Sequence, residues 1–385
     1  MSDSGLGNVL MVSADRSVVA GERGPFHYML ETFSRHWDRV DVIGTRPARV
    51  EQTQVFGNVH LHHPTTGKLR QAGFIARTGK ALAAQRPYTV ITSHDYNPFY
   101  NGLGSWRISR ATGIPYVAEI HHVPGHPVAA TFRERLDKPL TRLYARWAAK
   151  RAAGFRVVNA GELPALLTGW GIPAERIHVL TSLYLDRQVF RPAEIGRPEP
   201  DCDILVVGRL VPNKGLPVVL EAHAQLVAQG QRQRLKVLGR GPHAALVAAH
   251  ARRPEMHGLV EHVEWVETAE DLADVYRRAR LLVCASTSEG GPRVVPEALA
   301  CGTPSVSTPV GIVPELITDG VNGEIFDGTT PGLVAALGRT LLDDGAHGRL
   351  LAQVPRSDME RFDRETVIAG LAEGLKAIAA AYRAG

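Results

Sequence analysis

The sequence predicts an α/β protein built from two doubly wound, parallel-sheet domains. Three observations carry that expectation. A length of 385 residues suits two domains. Short β-branched apolar runs alternate with helix-length stretches throughout, which is the pattern of βαβ units. Most of those runs are continuously apolar rather than alternating, as expected of parallel strands covered on both faces.

Six strand candidates fall in each half. The first set covers residues 8–13, 40–44, 59–63, 89–94, 115–122 and 155–159; the second covers 203–208, 235–239, 260–266, 281–285, 304–308 and 324–326. Helices are expected between them, including 216–229, 269–278 and 331–342. A single (β/α)₈ barrel would need eight unbroken units, and the Pro- and charge-rich stretch 187–200 (RQVFRPAEIGRPEP) interrupts the count as a linker does. Domains are therefore expected over 1–190 and 191–365. The Ala/Leu-rich stretch 366–385 is expected to be a helix that closes the second domain or crosses back to the first.

Composition narrows the function classes. With 44% hydrophobic and 22% charged residues, the chain can fill two cores and is neither disordered nor fibrous. Cys202, Cys284 and Cys301 show no CxxC spacing, which fits a reducing compartment. No apolar run approaches the roughly 18–20 residues that span a bilayer, and the opening residues lack a secretory-leader pattern. A cytoplasmic protein is expected. Residues 1–190 carry 23 Lys and Arg against 14 Asp and Glu, whereas the remainder carries 21 against 25. Either the first half meets something anionic, or its arginines simply fill solvated faces. Aromatic residues are only 6% and no nucleic-acid signature is present, so no nucleic-acid partner is expected.

Residues 133–151 place Leu136, Leu140, Leu143, Tyr144 and Trp147 on one helical face among cations. The expectation is a helix packed on its own sheet by that face. The alternative is peripheral contact with an anionic membrane, at its inner face.

Two loops carry the chemistry. STSEGGPRVVPEALACGTPSVST (286–308) follows a strand, turns at Gly290–Gly291 and enters a helix, with Pro292 suited to the first helical turn. The N–H groups from Arg293 onward would face an anion. Glu289 lies in the loop and Glu297 about one turn into the helix, where a carboxylate accepts well from a diol. The bland alternative is an ordinary βαβ unit with a solvent-facing Glu. In VVGRLVPNKG (206–215) a strand ends at Gly208, and Arg209 and Lys214 follow. Two fixed cations there could hold a diphosphate through a guanidinium fork and a point charge; otherwise they are solvated loop cations.

Together these motifs resemble the large retaining glycosyltransferase family 4. The resemblance rests on the E-x7-E pair Glu289 and Glu297 and on the GR-L-x-x-x-KG loop. VGIVPELITDGVNGEIF (310–326) and GIPAERIHVLTSLYLDRQVFRP (171–192) add to it, and it covers nearly the whole chain. It implies the GT-B fold, two facing Rossmann-like domains. The implied enzyme moves a hexose-type sugar from a UDP- or GDP-sugar to a hydroxyl of a glycan, lipid-linked or small-molecule acceptor. Retention and independence of metals and other cofactors are implied too, as is a role in polysaccharide biosynthesis.

By that resemblance Arg209 and Lys214, with Gly208, bind the donor diphosphate, and Glu297 binds the ribose hydroxyls. Glu289 contacts the donor sugar, helped by backbone groups of Gly290, Gly291, Arg293 and Val294. Backbone groups around Gly239 and Val266 hold the base. In EIHHVPGHP (119–127), His121 aligns best with the family's active-site histidine, with His122 as the second choice; a core or surface histidine is the plain alternative. Gly24, in GERGPF, approaches the diphosphate and acceptor. The catalytic set is thus Glu289, His121, Arg209 and Lys214.

Departures exist. The first loop lacks a Gly-Gly pair, Leu183 stands where an Asn is usual before the hinge Asp186, and Gly291 follows the EG step. Asp201-Cys202-Asp203 spells a metal-binding DxD but precedes its strand, at the wrong end. His60, His62 and His63 have no nearby Cys or carboxylate cluster in the sequence to suggest zinc. Competing readings are a sugar-nucleotide epimerase, a glycosyl phosphorylase or a non-catalytic binding relic.

Overall fold

The structure, a computed structural model, describes residues 5–354 and 359–384. Among these, two sheets form, one in each of two compact units. The first unit gathers the chain up to His121, Pro139–Tyr184 and the segment from Arg364; the second takes His122–Lys138 and Leu185–Asp363. The divisions expected at 190 and 365 thus fall at Tyr184 and Asp363, and His122–Lys138 sorts with the second unit.

The first sheet contains β1 (Asn8–Val12), β2 (Arg39–Ile43), β3 (Gln54–Val55), β4 (Val59–His62), β5 (Val90–His94), β6 (Tyr116–Ile120), β7 (Gly154–Val157) and β8 (Ile177–Val179). Their order is β3-β4-β2-β1-β5-β6-β7-β8, parallel except for the β3–β4 pair. The strand order reverses between β1 and β5. Helices α1 (Pro25–Phe33), α2 (Gln71–Gln85), α3 (Tyr100–Thr112), α4 (Phe132–Ala148) and α5 (Glu162–Gly169) connect the strands.

The second sheet contains β9 (Cys202–Val207), β10 (Leu235–Leu238), β11 (Val260–Val263), β12 (Ala279–Cys284), β13 (Ser305–Ser307) and β14 (Gly323–Ile325), all parallel in the order β11-β10-β9-β12-β13-β14. Here the order reverses between β9 and β12. Between and after these strands run α6 (Leu216–Ala228), α7 (Ala244–Ala251), α8 (Ala269–Arg277), α9 (Val294–Ala300), α10 (Val313–Leu316), α11 (Thr330–Thr340) and α12 (Asp344–Gln353). Local chemistry sets several starts: Thr268 and Asp271 form a reciprocal capping box on α8, and Thr329 and Asp343 cap α11 and α12. No helix among the described residues is long and apolar enough to cross a membrane.

The last helix, α13 (Arg364–Ala384), lies in the first unit. Its Ile368, Leu371 and Leu375 share one buried cluster with Val9, Leu30, Phe33 and Val90.

Three sequence expectations change. The strand expected over 260–266 stops at Val263, which frees Glu264–Glu267 as a loop. Strands β3 and β8 were not expected. Helix α4 does not pack by its leucines: Leu136, Leu140 and Leu143 are exposed, while Asp137, Thr141 and Tyr144 are buried. The Tyr144 ring stacks on Phe99 at 4.2 Å and its hydroxyl donates to Asp95 at 2.5 Å, which turns that side of the helix inward. Burial pushes the Asp95 carboxyl up to about 8.

A carboxylate also stands beside the strand histidines, on the neighbouring strand. Asp41 accepts from Arg39 (2.7 Å), Tyr88 (2.6 Å) and His62 (2.7 Å). Burial would raise its pKa, but these hydrogen bonds hold it well below the carboxylate range. The network is fully occupied by protein partners and ties β2 to β4.

In the second unit, His223 on α6 and His250 on α7 meet at 2.9 Å, and the other nitrogen of His223 faces the Gln233 carbonyl at 2.8 Å. Two neutral rings satisfy this chain, with His223 donating from Nε2 to the carbonyl and accepting at Nδ1 from His250; two charged rings would set donor against donor. Burial pushes His250 down to about 4. A histidine depressed in the fold takes up its proton mainly in the unfolded state, so stability falls as pH drops from about 6.5 towards 4. Urea unfolding at pH 7.5 and 4.5 is expected to differ by about 2–3 kcal/mol from this pair. His250→Gln should flatten that slope; an unchanged slope would exclude the pair as its source.

Candidate active site

In open α/β sheets ligands bind beyond the carboxyl ends of strands where the order reverses. In the second unit that position belongs to the loops after β9 and β12, the two that carry the motifs. The loops are tied together: Thr287 N–H donates to the Asn213 carbonyl (2.8 Å), and the Asn213 amide donates to the Ser288 carbonyl (3.0 Å). Between them Lys214 Nζ meets Glu289 Oε1 at 2.6 Å, and Ser286 also donates to that oxygen. Both charged side chains are more than four-fifths buried. Arg209, on the same loop as Lys214, is exposed, and among the described residues it forms no ion pair.

Close backbone approach explains two glycines. Gly239 has φ +153°, and a Cβ there would overlap the carbonyl oxygen of Gly208, so the loops after β9 and β10 touch main chain to main chain. Gly311, at φ +55°, sits in the same way against the carbonyl of Gly290.

Helix α9 opens at Val294, with Arg293 at its N-cap and already helical; Pro292 stands just ahead, its carbonyl accepting from Val295 at 3.3 Å. Glu297 is buried rather than solvent-facing. Its Oε2 accepts from Tyr276 (2.9 Å) and its Oε1 lies 3.4 Å from Arg293. Burial raises its pKa against the pull of Arg293. Beyond β11, Val266 is half-buried, while Trp265 is exposed with Arg240 over its ring at 5.6 Å.

The segment His122–Lys138 belongs to this same unit: Val123 accepts from Ser288 Oγ at 3.2 Å and Val128 N–H donates to Thr287 at 3.3 Å. The DxD pattern lies at the opening of β9. Asp201 pairs with Lys236 (2.9 Å) and Asp203 with Arg234 (3.3 Å), both structural uses.

The first unit holds the other expected residues. His121 follows β6, and its Nε2 lies 2.9 Å from Glu119 Oε2, with the ring stacked on His94 at 4.1 Å. Arg156 on β7 reaches Glu119 at 2.7 Å, and Thr92 donates to the same carboxylate. Burial would raise Glu119, but the Arg156 charge and the His121 and Thr92 hydrogen bonds hold it well below the carboxylate range. Burial lowers the His121 pKa against the pull of Glu119, which favours the neutral ring. An ionised carboxylate only accepts, so Nε2 carries the proton and Nδ1 keeps its lone pair. His122 is exposed.

Residues 26–181 match the family described as "Glycosyl transferase 4-like domain", and residues 189–355 match "Glycosyl transferases group 1". A D-inositol 3-phosphate glycosyltransferase of Catenulispora acidiphila is 30% identical over 349 residues, 83% of this chain and 82% of the relative. The chain belongs to the group 1 glycosyltransferases. A relative of the same description from Thermobispora bispora is 28% identical over 90% of this glycosyltransferase and 88% of its own length.

Sucrose-phosphate synthase from Thermosynechococcus elongatus superposes with a TM-score of 0.80 at 18% identity, over 97% of this chain and all of that one. Anabaena HepE, solved with UDP and glucose, gives 0.73 at 18% identity, over 96% and 100%. The fold of this glycosyltransferase is therefore GT-B.

The structure gathers Gly208, Arg209, Lys214, Glu289, Gly290, Gly291 and Arg293 onto the two reversal-point loops and Val294 and Glu297 onto the first turn of α9 that follows, with Gly239 and Val266 on the neighbouring loops. Gly24 and His121 are in the first unit. Asn213, Tyr276, Glu119 and Arg156 went unread in the sequence, because their partners are tens of residues away.

Gly24 has φ −135°, and a Cβ there meets nothing within 4 Å. The glycosyltransferase fold does not require glycine at that place. Gly24→Ala is expected to leave the melting temperature unchanged and to raise KM for donor or acceptor several-fold. Wild-type kinetics would remove Gly24 from the site.

Proposed function

We propose that this glycosyltransferase moves a hexose-type sugar from a UDP- or GDP-sugar to a hydroxyl of a glycan, lipid-linked or small-molecule acceptor. Transfer retains the anomeric configuration and uses neither a metal ion nor a further cofactor. The Lys214–Glu289 pair at the reversal point, with the exposed Arg209 on the same loop, carries the proposal.

The difficult step is departure of a diphosphate from the sugar's C1. Arg209 and Lys214 supply positive charge where negative charge develops. Glu289 balances Lys214 at rest and, with the donor bound, accepts from sugar hydroxyls. Glu297 uses its remaining lone pairs for the ribose diol. The C1–phosphate bond breaks, the acceptor oxygen bonds to C1 from the same face, and the departing phosphate takes the acceptor proton. His121, in the first unit, serves the reaction through its Nδ1 lone pair. Solution of the Anabaena neighbour with UDP-glucose supports a nucleotide-sugar donor.

A panel of UDP- and GDP-sugars with hydroxyl acceptors, run in EDTA, tests this. Expected is acceptor-dependent nucleotide release at the same rate with and without EDTA, and a product of unchanged anomeric configuration by NMR. EDTA-sensitive turnover ends the metal-free reading, and an inverted product ends retention. A changed nucleotide sugar formed without acceptor marks an epimerase; release that needs inorganic phosphate marks a phosphorylase.

A further inference from the structure

Behind Glu297 stands Tyr276, and both side chains are buried. The tyrosine hydroxyl donates to Glu297 Oε2 at 2.9 Å, and a phenol has one proton, so this bond commits it. The surroundings hold the tyrosine in that position. Phe190 packs edge-on against its ring at 6.3 Å, and its carbonyl accepts from Thr303 Oγ1 at 2.6 Å, which ties α8 to the turn after α9. The next residue, Arg277, donates to the carbonyls of Val189 and Arg191 at 2.7 and 2.8 Å, so the stretch that carries Phe190 is itself fixed to α8. All of these residues belong to the second unit.

Among the described residues, the titratable and charged groups that face Glu297 are Arg293 at the start of its own helix, Tyr276 from α8 and Cys301 at the helix end. Burial pushes the Cys301 thiol up to about 12, so it carries no charge. Burial also opposes the ionised form of Glu297, and Arg293 and the Tyr276 hydrogen bond act against it. The distinction matters for a diol. An ionised carboxylate accepts from both hydroxyls, whereas a carboxylic acid turns one of its oxygens into a donor. With Tyr276 on Oε2 and Arg293 beside Oε1, both oxygens are fixed and lone pairs remain on each.

We propose that Tyr276 is a positioning residue for the nucleotide: its hydrogen bond fixes Glu297 as the acceptor for the ribose 2′- and 3′-hydroxyls and so sets the preference for a ribonucleotide over a deoxy form. The inference rests on the assignment of Glu297 to the ribose. Tyr276 itself touches no substrate and acts through Glu297.

Calorimetric titration of the full chain with UDP and with 2′,3′-dideoxy-UDP tests it, with GDP and its dideoxy form in their place where the donor panel selects guanine. Wild type is expected to bind the ribonucleotide about tenfold or more tighter than the dideoxy form, as hydrogen bonds to a charged acceptor do. Tyr276→Phe removes one oxygen and keeps the ring. It should weaken UDP about tenfold and leave the dideoxy form unchanged, so that the preference collapses. A hydroxyl that only supported the fold would weaken both nucleotides alike. Glu297→Gln should also lose the preference, and adding Tyr276→Phe to it should change nothing further. That double variant leaves no buried charge behind, so it serves even where Tyr276→Phe alone does not fold. Three results would overturn the proposal: an undiminished preference in Tyr276→Phe, equal weakening of both nucleotides, or a further loss when Tyr276→Phe is added to Glu297→Gln. A full preference in Glu297→Gln is a different failure, since it removes the ribose assignment itself and the inference with it.

Discussion

Arg209→Ala is expected to lower turnover by about 10²–10³, equivalent to roughly 3–4 kcal/mol of transition-state stabilisation. The side chain is exposed and forms no ion pair among the described residues, so folding does not depend on it. Its loss should leave melting temperature unchanged and appear in the rate of nucleotide release. Arg209→Lys keeps the charge but not the planar fork, and should recover only part of the rate. Lys214→Ala differs in kind. It leaves Glu289 more than four-fifths buried without its partner, so that variant loses stability as well as rate. Full turnover of Arg209→Ala with every working donor would refute the diphosphate assignment, whatever the stability data show.

Glu119→Ala is expected to cost about 3–5 kcal/mol of folding stability, because it strands the buried Arg156 guanidinium. The carboxylate is 5% exposed and Arg156 only 3%. Because the folded pKa of Glu119 is depressed, its stabilisation is fully present above the unfolded value of about 4.3 and is lost as pH falls through the folded value. Urea unfolding should therefore show a wide gap between wild type and variant at pH 7 and a narrower one near pH 3. Glu119→Gln keeps the shape without the charge and can also offer an N–H to His121, permitting the wrong tautomer. Its rate is expected to fall further than its stability accounts for. Equal unfolding curves for wild type and Glu119→Ala would show that the buried pair contributes nothing.

Much of the fold was legible because parallel strands covered on both faces leave continuous apolar runs, such as the ILVV that ends β9. The short edge strands were not, since Gln54–Val55 and the half-exposed Ile177–Val179 carry no such run. The loop motifs were legible because each sits a few residues after its strand, so both cations and Glu289 could be placed on reversal-point loops and Glu297 in the helix that follows. Contacts made across the sheet were opaque. Glu119 reads as one acidic residue inside a strand until β7 brings Arg156 beside it. Asp41 likewise acquires His62 only through the register of β2 with β4. The face of α4 was misread for the same reason: leucine periodicity suggested burial, whereas the partners that decide the matter, Asp95 and Phe99, lie more than forty residues earlier.

The placement of α13 has a consequence for biosynthesis. The ribosome must make all of Leu185–Asp363 before it can add the helix that completes the core around Val9 and Phe33. At about 5–20 residues per second, that interval is on the order of 10–40 s. During it the nascent chain carries an uncovered apolar groove on the earlier unit while the later unit can already close.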